Sequence, residues 1–157
     1  MKPLDNKLIT APCGFHGGRS HKIVLRDFHW FDHTLGKIIV PKGFIFDGGS
    51  LPRFTWSITG VTPFSNLIID AAVVHDYLYY GLNYLNEDGD LVAITREQAD
   101  KVFLRIMQKQ KLLGRLRRGL FYYSVVAFGG RHSAKCKNSD NIKYNPDLAD
   151  VILRQVR

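Results

Sequence analysis

Ala71-Ala72-Val73-Val74-His75-Asp76-Tyr77-Leu78-Tyr79 reads as a helix buried on nearly every side, yet it carries an imidazole and a carboxylate into that setting. On a helix the neighbours of His75 are Ala71, Ala72, Leu78 and Tyr79. About one helix later, Gln98-Ala99-Asp100-Lys101-Val102-Phe103 sets Asp100 among Arg96, Phe103, Leu104 and Met107. Both polar groups therefore lie on mainly apolar faces. A lone ionised carboxylate there loses several kcal/mol of hydration, so each group needs a buried partner. The pattern predicts that His75 and Asp100 meet across two antiparallel helices.

Such a couple has a chemistry. The carboxylate fixes the imidazole tautomer and steadies its protonated form, leaving the far ring nitrogen to take a proton from water or a nucleophile. His75 and Asp100 are thus a candidate catalytic pair. Asp76 is turned by about 100° around the same helix and is expected to face a cavity beside the imidazole, where it is a candidate metal ligand. The same pair also serves as a structural tie between helices. The second acid, which a tie does not need, favours the functional reading.

Upstream, residues 21 to 32 and 36 to 46 carry β-branched and aromatic residues at alternating positions and predict two antiparallel strands around His33-Thr34-Leu35-Gly36. The expected inward positions are Ile23, Leu25, Phe28 and Trp30, then Ile38, Val40, Phe44 and Phe46. Asp47-Gly48-Gly49-Ser50-Leu51-Pro52-Arg53 breaks both periodicities and is expected to be a loop. Two readings of it stand side by side. In one, Gly48 and Gly49 let backbone approach a ligand, Asp47 joins Asp76 at a cation, and Ser50 and Arg53 bind substrate together with Tyr79, one turn beyond His75. In the other, Asp47 merely caps a tight turn. The strand needs cover, and the apolar surface available is the helix Ile68 to Leu78 with its partner Val102 to Met107. That packing would carry the loop to His75.

Further elements follow from caps and breakers. A helix is expected over 65 to 80, opened by Pro63 and a Ser65 cap, then a hairpin from Tyr84 to Ile94 around Asp88-Gly89. A capping box at Thr95 and Gln98 opens a second helix to about Lys111. A third is predicted from Arg115 to Phe128, stopped by Gly129-Gly130, before a polar 131 to 145 and a short helix from Pro146 to Val156. The fold class is α+β: N-terminal antiparallel strands packed on two or three antiparallel helices, with a glycine-rich loop between. Residues 1 to 157 read as one domain with a core of about 20 to 130 and a basic C-terminal tail from 131 to 157.

With 157 residues, 22 Lys and Arg, 14 Asp and Glu and a formal charge of +8, the chain is expected to meet an anionic partner: lipid, acidic cell-envelope polymer or nucleic acid. Lys109, Lys111, Arg115, Arg117 and Arg118 interleave with Leu112, Leu113, Leu116, Leu120, Phe121, Tyr122 and Tyr123. Such a segment either lies on membranes or phosphates, or buries its leucine and aromatic stripe under a solvated cationic face. Cys13 and Cys136 suit a reduced compartment, with their pairing left open. The N-terminus lacks the features of a signal peptide, and the apolar run Gly119 to Gly130 is about half a membrane span. A soluble chain of cytoplasmic origin, with no transmembrane segment, is expected.

Val40-Pro41-Lys42-Gly43-Phe44, Asp47, Ser50 and Pro52-Arg53, followed by the helix Ala71 to Tyr79 and by Ala99-Asp100, resemble a family of small proteins of unknown function found in tailed bacteriophages and prophages. This covers roughly residues 20 to 130 and implies a phage product, in the host cytoplasm after synthesis or in the virion, with phage or host proteins as further partners. More distantly, His75-Asp76 and Asp100 are similar to the secreted phospholipase A2 core. That resemblance implies His75 as general base, Asp76 on Ca²⁺, Asp100 orienting His75, and the Asp47-Gly48-Gly49 loop completing the cation shell. The His-Asp dipeptide also resembles metal-dependent phosphohydrolases, whose further histidine would be His29 or His33. A Zn²⁺ or Mn²⁺ site from Asp47, His75, Asp76 and Asp100 is the corresponding expectation. Two functions remain: a phage-encoded hydrolase acting on an anionic envelope, lipid or phosphoester substrate, or a non-enzymatic virion-associated or host-modulating protein.

Overall fold

Alternating β-branched and aromatic residues do form strands in the first third of the chain: β1 (Thr10–His16), β2 (Arg19–Val24), β3 (Phe28–Asp32), β4 (Gly36–Val40) and β5 (Ile45–Phe46). A computed structural model describes residues 7–16, 19–47, 53–62, 64–136 and 144–155. The expected antiparallel pairing of 21–32 with 36–46 is present, in two stretches that keep one register. β3 and β4 run antiparallel with Phe28 opposite Val40 and Asp32 opposite Gly36. β2 continues that pairing with the short β5, Lys22 lying opposite Phe46, and on its other edge it pairs with β1, which the sequence reading does not include.

What differs is the side each residue faces, because β2 is buried on both faces. Ile23 and Val24 are adjacent in β2, so they point to opposite sides, and both are fully buried. Val24 enters the main core, while Ile23 and Leu25 enter a second, small cluster with Ala149. An alternation pattern presumes one wet face and therefore misreads this strand. β1 escapes sequence reading because Pro12 and Gly14 interrupt it. They sit at a bulge, where the register slips between Pro12 and Gly14 and Gly14 takes φ 137°.

The helices are α1 (Arg53–Thr59), α2 (Ile69–Gly81), α3 (Arg96–Gln110), α4 (Arg115–Cys136) and α5 (Pro146–Gln155). α1 is an element that the sequence reading lacks; it begins at Arg53, the last residue of the expected loop. α2 starts later than predicted. Ser65 braces the preceding turn, its Oγ accepting from the Leu67 amide and its carbonyl from the Ile68 and Ile69 amides, and Pro63 lies outside the described residues. The hairpin around Asp88-Gly89 is present as β6 (Asn83–Leu85) and β7 (Leu91–Ala93). The capping box of α3 is complete, the Gln98 amide donating to Thr95 Oγ1 and the Thr95 amide to Gln98 Oε1.

α4 runs through Gly129 and Gly130 to Cys136 instead of stopping at Phe128. Two glycines cost a helix about 1 kcal/mol each, a modest opposition to the burial of Phe121 and Val125 on the same helix. Of the residues read as either a surface segment or a buried stripe, Leu116 and Leu120 of α4 and Leu112 before it are exposed, while Leu113 and Phe121 are buried.

The main core joins Phe28, Ile38, Val40, Phe44 and Phe46 to Ile68, Val74 and Leu78 of the α2 region and to Val102, Phe103 and Met107 of α3. The strands are thus covered by the helices that their apolar residues require. Residues 144–155 pack back on the strands. Asn145 donates its amide to the Gly43 carbonyl at 2.8 Å, Phe44 bridges Tyr144, and Lys42 Nζ pairs with Asp150 at 3.0 Å. Gly43 makes this contact sterically feasible: its φ is +90°, and a Cβ there would stand 2.6 Å from the Pro146 nitrogen.

Candidate functional site

Contacts between α2 and α3 run in opposite senses, Asp70 meeting Gln110 and Tyr79 meeting Asp100, so the two helices are antiparallel. Between them His75 Nε2 lies 2.9 Å from Asp100 Oδ1, as the two apolar faces demand. Tyr79 donates its hydroxyl to the same oxygen at 2.6 Å. An ionised carboxylate only accepts, so Nε2 carries the proton in this bond. The imidazole is clamped edge and face, with its centroid 4.2 Å from the Tyr79 ring and 5.2 Å from Phe103.

The other ring nitrogen, Nδ1, lies 3.9 Å from Asp76 Oδ1, an ion-pair separation and not a hydrogen bond. Asp76 Oδ2 is buried from solvent. His75 is 2% exposed. Burial alone would drive the imidazole toward neutrality, but the bond to Asp100, the polar interaction with Asp76 and the charges of both acids outweigh it, and His75 holds its proton above the ordinary 6.5. Tyr79 moves upward as well, through burial and then through its bond to Asp100. It is a phenol kept as a donor.

His75, Asp76, Tyr79 and Asp100 are therefore brought together. Tyr79 stands as a support of Asp100, a role that its i+4 spacing from His75 on a buried helix could have signalled. Asp47 follows β5 and is half-buried. Ser50 and the Arg53 side chain lie outside the described residues, so the composite loop site is not delineated. Among the described residues no three His, Cys, Asp or Glu side chains converge on a point where a metal could sit.

Gly129 belongs to the site and was hidden by its reading as a helix stop. A Cβ at Gly129 would lie 2.9 Å from the Tyr79 hydroxyl and 3.1 Å from its ring, so α4 needs glycine here to let Tyr79 reach Asp100. Gly119, on the same helix, has open space around its Cβ position. Gly129→Ala is expected to destabilise by about 1–3 kcal/mol through overpacking, whereas Gly119→Ala should stabilise by up to about 1 kcal/mol. Paired thermal melts check this. Equal shifts of one sign would show that α4 does not press on Tyr79.

An α+β fold whose helix pair buries an imidazole between two carboxylates, with a tyrosine on one of them, defines the class of this protein. The chain belongs to a family described as protein of unknown function (DUF1353), which matches residues 23–125 and so spans the whole His75, Asp76, Tyr79 and Asp100 array. No curated protein and no solved structure matches the chain. β1 and α5 lie outside the matched segment.

Proposed function

We propose that this chain is a phage-encoded hydrolase in which His75 is the general base and Asp100 and Tyr79 position it, acting on an anionic envelope, lipid or phosphoester substrate. The observation that carries this reading is the commitment of Nε2 to Asp100 while Nδ1 stays 3.9 Å from Asp76. That gap is too long for a direct bond, and one water at ordinary hydrogen-bond lengths from both atoms would span it. His75 Nδ1 removes a proton from such a water as its oxygen bonds to the substrate's carbonyl carbon or phosphorus; the bond to the leaving group then breaks, and the imidazolium, stabilised by Asp100, returns the proton to that group. Because His75 holds its proton tightly, the base form appears only as pH rises, and the rate rises with it.

The near-complete burial of His75 favours the second reading, a non-enzymatic virion-associated or host-modulating protein in which the array only fastens α2 to α3. Assaying the purified chain against carboxylic-ester, amide and phosphodiester substrates separates the two. A general base contributes about 10²–10⁴ in rate, so His75→Ala should abolish turnover on that scale. The pH–rate limb should lie above 6.5 and move to lower pH in Asp100→Asn. A folded protein inactive on all three substrate classes would leave the structural reading in place.

A further inference from the structure

α4 buries Phe121 and Val125 and turns the opposite face to solvent. On that outer face Leu116, Leu120, Tyr123 and Ala127 follow at i, i+4, i+7 and i+11, a spacing that aligns them in one stripe. Leu116 is 80% and Tyr123 is 70% exposed. The outward side of such a helix is ordinarily polar; here it is aliphatic and aromatic. α1, which packs on α4 through the Thr55–Ser124 hydroxyl pair and the Phe54–Phe128 ring contact, exposes Phe54 and Ile58 as well.

Charge points to what covers this face. From Lys101 to Ser139 the chain carries ten Lys and Arg and no Asp or Glu; Lys101 pairs with Glu97 and Arg105 with Asp32 from outside that stretch, and the arginines of α4 follow them. Arg115 and Arg117 fall on either flank of the stripe, each about a quarter turn from it. On one side Arg115 and Arg118 line a cleft of about 330 Å³ between α3 and α4, together with Gln108 and Tyr122. No helix among the described residues is long and apolar enough to cross a membrane.

We propose that the outer face of α4 seats on an anionic membrane surface, the leucine and tyrosine stripe entering the interfacial layer and the arginine-lined cleft taking a lipid phosphate. The stripe supplies apolar area, the arginines supply attraction to the headgroups, and neither alone gives firm binding. A nucleic acid fits less well. Leu116 and Leu120 cannot stack on bases, and a polyanion would leave them wet. This inference is independent of the hydrolase reading, since it uses none of its residues.

The test is sedimentation of the full chain with vesicles of phosphatidylcholine alone or mixed with phosphatidylglycerol. Binding is expected only to the anionic vesicles, to weaken with salt, and to persist in inorganic phosphate matched in ionic strength to a chloride control. Leu116→Asp with Leu120→Asp should lower the partition coefficient at least about tenfold, as should Arg115→Glu with Arg117→Glu. These positions are exposed, and circular dichroism should show the helix intact. Absence of binding to anionic vesicles overturns the proposal. So does binding indifferent to the leucine pair, release by phosphate beyond the chloride control, which would indicate a free-phosphate cleft, or tighter binding to single-stranded nucleic acid lost in the same variants.

Discussion

Asp100→Ala is expected to lower stability by about 3–5 kcal/mol, a fall of roughly 6–20 °C in the melting midpoint for a chain of this size. One carboxylate oxygen serves both His75 Nε2 and the Tyr79 hydroxyl, so its removal strands two buried donors at once. Asp76→Asn keeps the shape and lies at ion-pair distance from Nδ1, so it should cost less, about 1 kcal/mol. The loss with Asp100→Ala depends on pH with a definite sign. His75 has its folded value raised above 6.5, so the stability that it draws from Asp100 is fully present below 6.5 and fades as pH rises through the folded value. The gap between wild type and Asp100→Ala should therefore narrow on the alkaline side. Thermal melts from mildly acidic to alkaline pH measure it, and a gap independent of pH would show that His75 is neutral in the folded protein.

Asp32→Ala is the second large effect, again about 3–5 kcal/mol. The Asp32 carboxylate is buried at the end of β3 and accepts from Arg105 Nε at 2.7 Å and Nη2 at 2.9 Å, and from the Thr34 and Leu35 amides at 3.0 and 3.1 Å. It shapes the β3–β4 turn and ties it to α3. Burial pushes this acid up, but the Arg105 fork and the two amides pull it further down, so it ends below its ordinary range. The sign is opposite to that of His75: its contribution is present above the ordinary carboxylate value and lost as pH falls through the depressed one. Asp32→Asn should restore part of the loss, because an amide oxygen still accepts from the turn. Equal melting of the two variants would assign the whole effect to the ion pair.

The helical half of the molecule was legible and the strand half only partly so, for physical reasons. A buried helix with a polar interruption announces its partner, and His75 with Asp100 follows from the hydration that each would otherwise lose. The box at Thr95 and Gln98 and the turn at Asp88-Gly89 are local chemistry and stand as read. β2 could not be read that way, because its second buried face is covered by α5, whose contact with it lies far off in sequence. The sequence reading gives Asp32 no role, since nothing nearby in the chain reveals that Arg105 arrives from α3. Gly129 misled for the same reason: glycine marks a helix stop and a close helix approach alike.

The clasp at Gly43 bears on how the chain is made. Ile23 and Leu25 are synthesised well before Ala149, which packs on them in the folded chain. Some 120 residues at about 5–20 per second separate the two events, on the order of ten seconds during which one side of β2 stands uncovered. Over that interval the nascent chain presents an apolar strand face to the cell, in the period when a holdase chaperone would find it.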